Sequence, residues 1–189
     1  MARKPADQSV NRDDIIVAAA DVLRENGYDS TTMKDIASRV NLTAASLYHH
    51  FKNKDFLLIA VLELGLQSAI DRIEPIMNAD LPPSEKLSQM IHAHIVDVTD
   101  NPAVGAAMVF EIRPLLDFKA PPRNGNNFGG DAYEEFMQRR DHFFERRAYF
   151  EKLFVDIIQN GVDRGEFRAV DATIFTKTMV GANNWVAVW

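Results

Sequence analysis

Thr43, Tyr48, His49 and Lys54 place four hydrogen-bond donors within a dozen residues, around the two small residues Ala44 and Ala45. Such donors hold phosphate oxygens, and alanines let a helix backbone approach base edges or touch a thymine methyl. That is chemistry suited to a duplex nucleic acid. Catalytic chemistry is not visible beside it. The chain has no cysteine, which excludes disulfides, thiolate nucleophiles and Cys-based zinc or iron–sulfur sites. His49-His50 and His92-x-His94 are close in sequence, but i, i+1 and i, i+2 pairs diverge on a helix, and no third ligand follows at helical spacing. Neither a glycine-rich phosphate loop nor a nucleophile elbow occurs. No metal, cofactor or catalytic residue is assigned, and the chain reads as a non-enzyme.

The elements that must position those donors are helices. Asp13 and Asp14 favour a helix start after Asn11, Ile15, Ala19, Val22 and Leu23 give it one apolar face, and Gly27 supplies its stop. Thr32 and Asp35 have capping-box spacing, while Met33, Ile36, Ala37 and Val40 follow a helical period, ended at Asn41. Thr43 caps a third helix with Leu47 and Phe51 inward, and Asn53 caps a fourth with Phe56, Ile59, Ala60 and Leu64, which Pro75 should break or kink. Two short helices joined by Asn41-Leu42-Thr43 form a helix-turn-helix, over about 32–51. Short amphipathic pairs also occur in ordinary helical cores, and spacing alone leaves both readings open.

Punctuation further along keeps the helical period. Segments open at Ser84 and at Asn101-Pro102, the latter expected to run through Met108, Ile112 and Leu115. Phe118–Gly130 is loop chemistry, and helices are expected over 131–161 and 171–189. The fold class is all-α. The 189 residues are 47% apolar and 25% charged, a globular composition, and no run of ~18 apolar residues suggests a membrane span or secretory signal. Net charge is −6, unevenly placed: residues 1–55 carry eight Lys/Arg and eight Asp/Glu, so the whole excess lies beyond them. Residues 31–55 carry a surplus of two positive charges.

Gly27-Tyr28, Thr31-Thr32-Met33-Lys34-Asp35-Ile36-Ala37 and the ungapped run from Leu47 to Leu57 (LYHHFKNKDFL) resemble the N-terminal domain of the TetR family of bacterial transcriptional regulators. The resemblance covers residues 9–69. It implies a homodimer with a three-helix DNA-binding head and a helical body over 81–189, in a cytoplasmic, nucleoid-associated bacterial protein. Most members are repressors that leave a palindromic operator when a small ligand enters the body. By motif position Thr31, Thr32, Thr43, Tyr48 and Lys54 would contact phosphates, and Ala44, Ala45 and His49 would face bases. Arg3, Lys4 and Arg12 would form a basic arm.

In the body, Ile157-Ile158-Gln159-Asn160-Gly161 through Gly165-Glu166-Phe167, with Gly181-Ala182-Asn183-Asn184-Trp185, looks like a subgroup that includes lipid- and sterol-catabolism regulators. Several of those respond to acyl-CoA thioesters, so an acyl-CoA or another amphipathic anion is the expected effector. Two features depart from that pattern. The 118–130 loop is longer than expected, and a charged turn and another helix are expected after Trp189, as in a truncated chain. Phe110, Met108, Phe136, Met137, Phe143, Phe144, Trp185 and Trp189 offer an apolar interior, and Arg113, Arg140 and Arg147 offer partners for an anion. Phe110, Arg113, Phe143 and Trp185 are the chosen pocket residues. Aromatics at helical spacing serve equally as core. A body that only dimerises, without a ligand, is the rival, and a sealed interior would favour it. The last two helices are expected to pair with their symmetry mates.

Overall fold

The computed structural model describes residues 10–116 and 130–188, and every regular element among them is helical. Arg3, Lys4, residues 118–129 of the expected loop and Trp189 lie outside the described residues. The helices are α1 (Arg12–Ser30), α2 (Met33–Arg39), α3 (Ala44–His50), α4 (Lys54–Met77), α5 (Pro83–Asp100), α6 (Pro102–Phe110), α7 (Arg113–Leu116), α8 (Gly130–Asp163) and α9 (Ala172–Trp185), with a 3-10 turn at Val186–Val188. No helix among the described residues is long and apolar enough to cross a membrane.

The first four helices are each capped by a side chain. Asn11 accepts from the Asp14 amide at 2.8 Å, Thr32 from Asp35 at 3.3 Å, Thr43 from Ser46 at 3.0 Å, and Asn53 from Phe56 at 3.0 Å. Each cap satisfies a backbone donor that the first turn leaves unpaired. The expected punctuation is present. Gly27 interrupts the helical path at φ 75° and ψ 163°, a region open almost only to glycine. Asn41 leaves α2 at φ 56°. Ile15, Ala19, Leu23, Ile36, Leu47 and Phe51 are all buried, so α1, α2 and α3 share one core with the first turns of α4.

Helix α4 continues from that core into the body. It runs through Pro75, where a break or kink was expected, to Met77, whose carbonyl accepts from the Lys86 ammonium at 2.7 Å. Helices α5, α6 and α8 pack against it, and α9 packs against those three. Helix α6 stops at Phe110, before the expected continuation through Leu115. The cause is Pro114, whose ring would collide with the Phe110 carbonyl four residues back, so the chain restarts as α7. Helix α8 buries Phe136, Phe143, Phe150 and Ile157, a stripe repeating every seven residues. Helix α9 buries Ala172, Thr176, Val180 and Asn183, leaving Ile174, Phe175 and Trp185 exposed.

The end of α8 explains the glycines of its sequence motif. Amides of Glu166 and Phe167 both donate to the Gly161 carbonyl, at 2.9 and 3.0 Å, and Gly165 turns the chain at φ 71°. The Phe167 ring lies where a side chain on residue 161 would begin. Gly161→Ala is therefore expected to cost about 1–3 kcal/mol through overpacking. Urea unfolding measures it, and unchanged stability would contradict the packing described.

Candidate nucleic-acid interface and interior cavity

Leu47 is fully buried and pins α3 to the head, which turns Ala45, Tyr48 and His49 to solvent with Ala44 half-covered. Tyr48, at 53% exposure, is among the most exposed large side chains of the molecule. Thr43 is exposed at the N-terminus of α3, and its Oγ1 lies 2.8 Å from Ser46 Oγ. Thr32 is exposed at the start of α2, its hydroxyl donating to Asp35 at 2.6 Å. Thr32, Tyr48, Lys52 and Lys54 border one surface cleft between α2, α3 and the start of α4. Arg12 stacks its guanidinium 4.7 Å from the centroid of Phe51.

Two expected phosphate contacts are placed differently. Thr31 is 1% exposed and donates its hydroxyl to the Gly27 carbonyl at 2.7 Å, so it tightens the end of α1 instead of facing solvent. Lys54 directs its ammonium inward. It donates to the carbonyls of Tyr28 at 2.6 Å, Thr31 at 2.9 Å and Asp29 at 3.5 Å, and lies 4.1 Å from the Tyr28 ring centroid. An ammonium has three donors, and all three are used. The reason is local: α1 ends with carbonyls that lack intrahelical partners, and a cation satisfies them. Tyr28 completes the joint by donating its hydroxyl to Asp55, and burial with that bond raises its pKa.

Inside the body, α4, α5, α6, α8 and α9 enclose a cavity of about 140 Å³. Its apolar wall includes Leu66, Ala69, Val104, Met108, Phe150 and Val180, and its polar lining includes Ser68, His94, Asp97, Asn184, Arg147 and Glu151. None of Phe110, Arg113, Phe143 and Trp185 lines it. Phe110 and Trp185 stack edge-on at 5.8 Å and are both nearly half exposed, because each lies on the outward side of its helix. Arg113 is exposed on α7, and Phe143 is filled into the core against Phe144. Phe136 packs on Phe56 instead. Met108 and Arg147, from the wider sequence set, do reach the cavity.

The polar lining was the harder part to foresee. His94, expected only to fail as a metal ligand, packs against Phe150 and Phe154 with ring centroids 5.2 and 6.1 Å away, and lies 3.4 Å from Asn183 Nδ2. Burial pushes its pKa down to about 4, against the opposing influence of Asn184. Asp97 is buried, accepts from Ser68 and pairs with Arg72 at 3.1 Å; burial raises its pKa. Arg147 lies 3.7 Å from Glu151, which also meets Lys177 at 3.1 Å. The one available signal was polar residues recurring on the inward side of α5, at 94 and 97.

Residues 15–61 match the family model described as bacterial regulatory proteins, tetR family, and residues 130–189 match the tetracyclin repressor-like C-terminal domain. Together the two matches span more than half of the chain. The chain belongs to the TetR family of bacterial regulatory proteins. It is therefore a DNA-binding transcriptional regulator and not an enzyme. This TetR regulator is 27% identical over 184 residues to the HTH-type transcriptional repressor KstR2 of Mycolicibacterium smegmatis, covering 97% of this chain and 80% of that protein. In fold it is similar to the ketosteroid transcriptional regulator KstR2 of Mycobacterium tuberculosis, with a TM-score of 0.77 at 21% identity over 99% and 86% of the two chains. It is also similar to AibR in complex with isovaleryl coenzyme A and operator DNA, with a TM-score of 0.71 at 22% identity over 94% and 86%.

Two measurements check the geometry of this TetR regulator. Lys54→Ala should lower stability by about 2 kcal/mol, since it removes a charged donor from three carbonyls at the joint; a loss confined to DNA binding would contradict the joint. His94 binds its proton near pH 4 when folded and near pH 6.5 when unfolded, so acidification through that window favours unfolding. Wild type should lose about 2 kcal/mol more than His94→Gln between pH 7 and 4.5 in urea unfolding. Equal losses would place His94 in solvent.

Proposed function

We propose that this TetR regulator is a dimeric repressor that binds a palindromic operator through α3 and releases it when a short amphipathic anion enters the body. On this reading residues 9–69 are the DNA-binding unit and 81–189 the effector-binding and dimerisation unit. Ala44, Ala45 and His49 face base edges; Thr32, Thr43 and Tyr48 hold phosphates. What supports the base-facing role is the exposure of one side of α3 while Leu47 anchors the other. Lys54 acts by holding the head together, and a phosphate reaching it would compete with three carbonyls. The exposed apolar residues Ile174, Phe175 and Trp185 on α9 support pairing with a second copy. A two-fold dimer can set two recognition helices about 34–36 Å apart, one turn of duplex.

The observation that carries the effector reading is the cavity. It weighs against a body that only dimerises, for which a sealed interior was expected. About 150 Å³ accommodates a benzene-sized group, so a cavity of about 140 Å³ suits a short acyl chain. A steroid nucleus needs roughly three times as much room on that scale. Among relatives, AibR was solved with isovaleryl coenzyme A, a short branched thioester, together with operator DNA. Arg147 is the cation available to an anionic group, and Glu151 would keep Lys177 as a partner when Arg147 turns to the ligand. Asp97 and Glu151 disfavour a second anion deeper inside. A thioester, neutral at its carbonyl and charged only at its distal phosphates, meets both conditions.

The test begins with an operator selected from a random duplex pool, with Ala45→Glu as the non-binding control that keeps the fold. Short-chain acyl-CoA, free coenzyme A, the matching free acid and a long-chain acyl-CoA are then compared by thermal shift and gel shift. The expected result is stabilisation and operator release by the short acyl-CoA, approaching 3 kcal/mol at a hundredfold excess over Kd. The ligand must favour one of two conformations, since equal binding to both shifts nothing. Stabilisation without release would remove it as an inducer, and no stabilisation by any of the four would return the dimerisation-only account.

A further inference from the structure

A hydrogen bond joins two parts of the chain that the sequence separates by 83 residues. The Tyr28 amide donates to Glu111 Oε2 at 3.1 Å. Glu111 is the residue that ends α6, and α6 forms one wall of the cavity through Val104, Gly105 and Met108. Tyr28 belongs to the head, at the joint already described: its carbonyl holds Lys54 and its hydroxyl holds Asp55. Gly27 makes the bond possible. Its positive φ interrupts α1 just before Tyr28, and a side chain there would begin 3.9 Å from Glu111 Oε1. A second polar link between body and head, Lys52 with Glu135, has both side chains about half exposed, where an ion pair holds little.

We propose that Glu111 is the positioning residue that couples the cavity to the DNA-binding head, by carrying displacements of α6 to Tyr28. The path runs from the cavity wall to Glu111, then through Tyr28 to Lys54 at the start of α4 and to Thr31, which leads into α2. Packing makes α6 responsive. A Cβ on Gly65 of α4 would lie 2.6 Å from Val104 Cγ1, so the two helices already meet at minimum separation. Anything inserted between them moves α6, because a close-packed contact shifts instead of compressing. The inference rests on the DNA-binding reading of the head, and it predicts that the signal enters through α1 as well as along α4.

The experiment needs no identified effector, because a substitution can push α6. Gly65→Ala sets a methyl against Val104, and Gly105→Ala, whose Cβ would meet Ala187 at 3.1 Å and Val98 at 3.2 Å, is the alternative should Gly65→Ala not fold. Two readouts are taken with Glu111 intact, Glu111→Ala and Glu111→Gln: operator affinity by gel shift, and hydrogen exchange at the Tyr28 amide without DNA. With Glu111 intact, Gly65→Ala should weaken operator binding about tenfold and speed Tyr28 exchange; with Glu111→Ala the further loss should shrink to about twofold or less. Glu111→Gln keeps an acceptor oxygen and should retain most of the coupling. Equal penalties in all three backgrounds, no effect of the added methyl on either readout, or Glu111→Gln behaving as Glu111→Ala would overturn the proposal. Failure of wild type to bind any selected duplex would instead remove the DNA-binding reading, while Tyr28 exchange would still decide the mechanical link.

Discussion

The Lys54 ammonium and the open end of α1 set the terms for the head. The carbonyls of Tyr28, Asp29 and Thr31 cluster where α1 closes, and one cation from the first turn of α4 reaches all three. That side chain ties the end of α1 to the start of α4, beside the core that the two helices share with α2 and α3. Tyr28 reinforces it with its ring under the ammonium and its hydroxyl on Asp55. Glu111 then reaches the same residue from the body. Head and body are thus both tied to Tyr28.

The body is organised around the opposite requirement, an interior that is incompletely filled. Helix α8 supplies a dense aromatic seam with Phe136, Phe143 and Phe150, while α6 buries Val104, Gly105, Ala106 and Ala107. The cavity lies between Val104, Gly105 and Met108 of α6 and Arg147, Phe150 and Glu151 of α8. Polar groups line part of it, and each described one has an assigned neighbour: Asp97 with Ser68 and Arg72, His94 with Asn183, Arg147 with Glu151. Buried polar groups of this kind are costly unless satisfied, so a ligand that enters must offer replacements for any bond it breaks.

Much of the head was legible in the sequence because its signals are local. Thr32 with Asp35, Asn41, Thr43 and Asn53 act within four residues of themselves, and each does in the structure what its type predicts. Thr31 and Lys54 have intramolecular partners that were not legible, for the complementary reason. Their partners lie at the end of another helix, and donor chemistry alone does not say whether a carbonyl or a phosphate is taken. The cavity was legible only as composition. Phe110 and Trp185 look like lining residues by type, yet helix rotation sends them outward, while His94 and Asp97 turn in. That rotation depends on which faces α4 and α8 cover, and it is a tertiary property. The break at Phe110 was readable in hindsight from Pro114.

The length of α3 bears on how far the molecule can be divided. At seven residues it is well below the ~12–15 at which an isolated helix begins to hold in water, and α2 is no longer. Their side-chain caps contribute roughly 1 kcal/mol each, too little to offset the cost of nucleation. An excised α2–α3 peptide is accordingly a coil, with no surface to present. The smallest piece that keeps the α3 surface must contain the buried cluster around Leu47 and the Lys54 end of α4. For anyone transplanting the α3 surface into another protein, the portable module is the four-helix frame and not the turn motif.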